Sequence, residues 1–180
     1  MEIKFKVNQD KVLEAIVYVA SKEPNIDIYH TVKTMFFADK YHLNRYARPV
    51  LGDLYMKMPN GPVPSLVKDI ISMSSFLSQD LAEKASKAFS ARGKNKNITV
   101  KREANLDDFS ESDIECLDEA LAFCKDKSFQ ELRDITHEDI AWKNAGINDV
   151  MDYGLLIDKE NPNHDDILCD LEENSQFMVI

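Results

Sequence analysis

Residues 28–46 read Ile28-Tyr29-His30-Thr31-Val32-Lys33-Thr34-Met35-Phe36-Phe37-Ala38-Asp39-Lys40-Tyr41-His42-Leu43-Asn44-Arg45-Tyr46. Ile28, Val32, Met35, Phe36 and Leu43 recur at helical spacing, which predicts an amphipathic helix with one apolar stripe. At 100° per residue Asp39 falls in the middle of that stripe, within about 60° of all five. An acid there is either a buried acceptor for backbone and side-chain donors or a base with a raised pKa. Buried acids are usually paired, which favours the acceptor. Arg45, Arg48, Tyr41, Tyr46 and Tyr55 stand close enough in sequence to supply the donors.

Working outward, Ile3, Phe5 and Val7 alternate with Glu2, Lys4 and Lys6, the period of a short strand. Asn8 can then cap a helix running to about Lys22 with Val12, Ile16, Val19 and Ala20 on one side, and Pro24 stops it. On the other flank, residues 50–58 read as a bent extended segment or hairpin arm bounded by Pro49 and Asn60-Gly61. Gly61-Pro62-Val63-Pro64-Ser65 leads stiffly into a third helix bearing Val63, Leu66, Val67, Ile70 and Ile71. A weaker helix spans Asp80–Ala91. A basic loop and a strand at 98–101 follow it.

Ser110 or Ser112 opens the next helix. Ser128-Phe129-Gln130-Glu131 has the form of a capping box, and Thr136-His137-Glu138-Asp139 repeats it. Trp142 lies in the short helix after it, and Gly146 supplies a stop. The whole predicts an α+β fold, mainly helical, in a single domain with a small β element. Residues 1–146 form the body, and 147–180 an extension that packs on it or trails from it.

At 180 residues the chain is long enough to bury a core without disulfide or metal. Cys116, Cys124 and Cys169 are odd in number and fit no metal knuckle, and no apolar run follows Met1-Glu2. These features point to a reducing cytoplasm with free thiols. No stretch approaches the roughly 18 apolar residues of a membrane span.

The net charge of −10 hides a polarity. Residues 1–102 hold 17 Lys and Arg against 10 Asp and Glu, and residues 103–180 hold 5 against 22. Between Lys84 and Arg102 stand seven bases and no acid. Such a split favours a charged partner or internal neutralisation. The basic run lacks aromatics to stack bases, apart from Phe89, so a protein-facing patch suits it better than nucleic acid. Candidate contacts are Asp118, Glu119 and Asp126 on the acidic side, with Lys94 and Lys96 on the basic side.

Catalytic and metal signatures are weak. His137-Glu138 begins like a zinc-protease helix, but Ala141 stands where the second histidine belongs. Asp39 and His42 share a face, yet two ligands do not hold zinc. No glycine-rich phosphate loop or nucleophile elbow occurs. Cys124 reads as core. No metal or cofactor is expected.

Phe37-Ala38-Asp39-Lys40-Tyr41-His42-Leu43, Arg48-Pro49-Val50-Leu51-Gly52-Asp53-Leu54-Tyr55 and Asn60-Gly61-Pro62-Val63-Pro64-Ser65 together resemble the hallmark stretch of Panacea-domain proteins, also called SocA-like antitoxins. Leu106 through Leu121, and Leu132-Arg133-Asp134-Ile135-Thr136-His137 with Trp142, resemble the family's C-terminal half. The resemblance runs from about residue 8 to 146 and marks Asp39, Tyr55, Gly61, Pro62, His137 and Trp142 as motif positions, structural in character. One departure is Ala47, where the family usually has glycine before the arginine. The resemblance implies a bacterial or prophage-encoded antitoxin that neutralises a toxin, encoded next to it, by direct protein contact. It implies no catalytic residues. Two rivals are a hydrolase using Asp39 and a histidine, and a nucleic-acid regulator using residues 84–102.

Overall fold

A computed structural model describes residues 3–180. Helix α1 (Gln9–Lys22) starts where Asn8 accepts from the amides of Asp10 and Lys11. Helix α2 (Ile28–Tyr46) starts where Asp27 accepts from the His30 amide. Each cap satisfies donors that no helical carbonyl can reach. Helix α2 is central. It packs most extensively on α5 (Glu111–Cys124) and also meets α1, α3 (Ser65–Ser72), α6 (Phe129–His137) and the strand β2 (Gly61–Pro64). Met35, Phe36, Ala38, Leu43 and Asp39 are all fully buried there.

Two antiparallel hairpins supply the β structure: β1 (Tyr55–Met58) with β2, and β3 (Phe89–Arg92) with β4 (Asn97–Val100). Helix α4 (Gln79–Ala88) precedes β3, α7 (Ile140–Asn144) follows α6, and α8 (His164–Asn174) lies near the C-terminus. The α+β, mainly helical class holds, and several boundaries move. Residues 61–64 form a strand rather than a helix approach, because they pair with β1 in the register Tyr55 to Pro64. Residues 50–54 are irregular, so the extended arm begins only at Tyr55. Phe89 leaves its helix to open β3. Thr136 does not cap α7: its hydroxyl donates back to the Leu132 carbonyl (2.8 Å), and Asp139 caps instead.

The N-terminal alternation forms no regular strand among the described residues, and Glu2 lies outside them. Its one bridge is parallel, Lys6 to Val179. The Lys6 amide donates to the Met178 carbonyl (3.0 Å) and the Ile180 amide to Lys6 (3.1 Å). Residues 148–151 run antiparallel beside β1. There the Asn148 amide donates to Lys57, the Lys57 amide to Asp149, and the Met151 amide to Tyr55, at 2.8–2.9 Å.

Candidate functional site

The β1–β2 hairpin is gripped at both ends by buried polar groups. At its base, Asp39 Oδ1 accepts from the Leu51 amide (2.8 Å). Its Oδ2 accepts from the Gly52 amide (3.1 Å), the Tyr55 hydroxyl (3.0 Å) and the Tyr153 hydroxyl (3.3 Å). Burial pushes Asp39 up to about 6, against the pull of these donors. Tyr55 and Tyr153 are pushed well above the usual phenol range, first by burial and then by the carboxylate. Of the five donors expected from sequence, only Tyr55 reaches Asp39. Tyr153 comes from far downstream.

Asp53 is a second buried carboxylate, in an irregular segment where no apolar periodicity marks it. It accepts from the amides of Leu66 (3.1 Å) and Val67 (3.0 Å) at the start of α3. The residue preceding that helix is Pro64, which offers no side-chain acceptor. Asp53 therefore caps from a distance, and burial lifts it to about 6 as well. The signal was an orphan helix start that needed an acceptor.

At the hairpin's other end Lys33 is fully buried and donates to the Pro62 carbonyl (2.7 Å). Its ammonium stands 5.0 Å from the Tyr29 ring centre. Burial without a facing acid lowers it to about 7. Gly61 adopts φ +104°, and a Cβ there would run into Thr136 Oγ1 and lie 2.6 Å from Lys33 Nζ. The His137 ring stacks on Trp142 at 3.8 Å, and Trp142 Nε1 donates to the Met58 carbonyl (3.2 Å). The structure thus gathers Gly61, Pro62, His137 and Trp142 around the hairpin tip, and Asp39 with Tyr55 at its base.

A family model described as antitoxin SocA-like, Panacea domain, matches residues 32–143. The chain belongs to this family. No curated protein and no solved structure gives a match. The Panacea-domain match begins inside α2 and ends inside α7, so it spans both clamps of the hairpin. Ala47, where glycine was expected, ends α2 in a left-handed conformation (φ 57°, ψ 21°). That geometry is why glycine suits the position.

The charged candidates divide. Glu119 is held by Arg45 (2.7 Å from Nη2 to Oε1), and Asp118 accepts from the Tyr18 hydroxyl (2.8 Å). Asp126 is exposed. Lys94 lies in the turn between β3 and β4, as does Lys96 with φ 52°. The acid and basic sets are therefore carried by separate elements.

A further buried centre joins α1, α2 and α5. Lys11 Nζ lies 3.1 Å from Asp113 Oδ2, while Arg48 Nη1 (2.9 Å) and His42 Nε2 (3.2 Å) approach Oδ1. Burial alone would raise Asp113. The Ser110 amide and the Lys11 and Arg48 charges overcome it and hold the carboxyl below its usual range. His42 Nδ1 faces the Arg48 carbonyl (2.7 Å) and Nε2 the Ser112 hydroxyl (2.9 Å), and burial lowers its pKa. No hydrogen bond or ion pair joins Asp39 to a histidine among the described residues. Burial pushes Cys124 up to about 12, which leaves its thiol protonated. Among the described residues no group of three His, Cys, Asp or Glu could hold a metal, and no helix is long and apolar enough to cross a membrane.

Proposed function

We propose that this Panacea-domain protein is an antitoxin that neutralises a toxin encoded beside it by direct protein–protein contact, without catalysing a reaction. The observation that carries the reading is membership of the SocA-like antitoxin family across residues 32–143. The chemistry of the interior supports it. Asp39, Asp53 and Lys33 spend their bonds on backbone amides, phenols and a carbonyl, which suits scaffolding more than turnover. Asp39, Tyr55, Gly61, Pro62, His137 and Trp142 act by fixing the hairpin, so the partner meets the surface they hold in place. We read residues 1–146 as the Panacea unit and 147–180 as an extension that adds Tyr153 to its buried carboxylate. A cytoplasmic location fits a toxin met inside the cell.

Induced expression of the adjacent reading frame, alone and with this chain, tests the proposal. Growth arrest relieved by the chain, with both proteins recovered together by affinity purification, is the expected result. Arrest that persists despite abundant folded chain would sink it.

A further inference from the structure

A cavity of about 450 Å³ forms a trough between the N-terminal segment and residues 150–153, with Gly52, Asp53 and Leu54 between them. Its two walls are extended chain, and each is paired on its far side only. On one wall the amides of Lys6 and Asn8 turn away to the carbonyls of Met178 and Ile180. Extended backbone alternates direction, so the amides of Phe5 and Val7 turn the other way. On the opposite wall Asp149 and Met151 bond to β1, whereas Val150, facing Met56 in a non-bonded pair, directs its N–H and C=O away from β1. The amides of Phe5, Val7 and Val150 make no hydrogen bond among the described residues.

An edge of this kind with unpaired main-chain groups is a template for another strand. Native chains blunt such edges or use them, and the use is peptide recognition by strand addition. Residues 148–151 carry neither proline nor lysine. Leu54 and Val150 stay 40% and 44% exposed in the trough, which puts apolar surface where alternate side chains of an added strand would point. Lys4 lines one wall and Asp152 the other, so the margins carry opposite charge, which suits a strand with an acid on one side and a base on the other.

We propose that this trough accepts an extended segment of the toxin, apolar at alternate positions, which adds as a strand to the edge at residues 148–151. The inference rests on the antitoxin reading and names the surface and the kind of contact. The inserted strand would complete a sheet running from β2 and β1 through residues 148–151 to the N-terminal segment and residues 178–180.

The test uses the full chain with the toxin encoded beside it. Val150→Pro and Val7→Pro each delete an amide that bonds to nothing in the free protein, so neither removes an existing ladder bond. Val150→Thr keeps the amide and serves as control. The expected result is a melting temperature close to the parent's in both proline variants, with toxin binding weakened about tenfold or more, while the threonine variant still neutralises. The amides of Phe5, Val7 and Val150 should also gain hydrogen-exchange protection in the complex. Proline variants that neutralise like the parent, or amides that exchange as fast in the complex as in the free chain, would overturn the trough while leaving the antitoxin reading intact. Failure of the parent chain to neutralise would remove both. If Val150→Pro does not fold, Val7→Pro and the exchange data decide.

Discussion

Asp39→Ala removes one carboxylate and strands two buried amides, those of Leu51 (2.8 Å) and Gly52 (3.1 Å), while the phenols of Tyr55 and Tyr153 keep the carbonyls of Met35 (3.1 Å) and Asp53 (2.8 Å) as acceptors. A buried donor left without an acceptor costs about 1–3 kcal/mol. Against that, the parent carries a buried carboxyl lifted from 3.8 to about 6, roughly two units, which costs about 3 kcal/mol when it is ionised at pH 7. Some stranded donors will recruit water into the space left behind. The net loss is about 1–3 kcal/mol. For a chain of this size that lowers Tm by about 2–12 °C.

The pH dependence has a definite sign. A carboxyl whose pKa is higher folded than unfolded keeps its proton longest in the folded state. Its contribution is full below 3.8 and is lost as pH rises through about 6. Asp53 behaves likewise, so the parent should lose stability between pH 4 and 6 from both groups, and Asp39→Ala should lose only the Asp53 share. Thermal melts followed by circular dichroism at pH 4.5 and 7 measure both effects. A variant melting within about 2 °C of the parent at pH 7 would refute the acceptor role. If it also failed to bind the toxin, Asp39 would be a contact residue.

Three other substitutions follow from the same geometry. Ala47→Gly should stabilise by about 1 kcal/mol, because a left-handed Cβ is relieved, and the urea midpoint reports it; an unchanged midpoint would mean the turn carries no strain. Gly61→Ala should destabilise by more than about 2 kcal/mol and broaden the hairpin's resonances, since its Cβ meets Thr136 and Lys33 at a positive φ; a parent-like melt would refute that. Lys33→Met gives up one bond to the Pro62 carbonyl but no longer buries an amine held near 7. The parent should gain stability from pH 7 to 10 relative to the variant, because there only the unfolded lysine stays protonated; equal slopes would show that Lys33 is not desolvated.

Local patterns were legible where the cause is local. The caps at Asn8, Ser110 and Ser128 and the full span of α2 follow from side chains within a few residues of each helix start. The pairing of Pro62 and Pro64 in a strand was not legible, because proline lacks the amide that usually marks a ladder. It is tolerated because the register gives β2 a partner through its carbonyls and intervening residues. Tyr153 had no signal: it reaches Asp39 across 114 residues of sequence, and only the fold brings it there. Lys33 sits on the helix whose apolar stripe was read correctly, but a lysine at its margin normally reaches solvent. The carbonyl that captures it belongs to Pro62 in β2, a position that local sequence does not mark as an acceptor for a lysine.

The charge asymmetry that favours a charged partner has a partly internal use. Lys11 and Arg48 meet Asp113, Lys22 meets Asp118, Lys40 meets Asp139 and Asp158, and Arg45 meets Glu119. In every one of these pairs the base comes from α1, α2 or Arg48 two residues after α2, and the acid from residue 113 or beyond. The buried Lys11–Asp113 pair ties α1 to α5, and breaking it would leave one charge stranded. The exposed Arg45–Glu119 and Lys22–Asp118 pairs contribute little each. Reversing Asp118 or Glu119 therefore disturbs an internal contact as well as any docking face. Asp126, Lys94 and Lys96 have no ion pair among the described residues, so reversing them changes the surface alone. If Lys94→Glu with Lys96→Glu, and separately Asp126→Lys, leave neutralisation intact and insensitive to salt, the charge split is cohesion within the fold. Recognition then rests on main-chain and apolar contacts of the kind the trough offers.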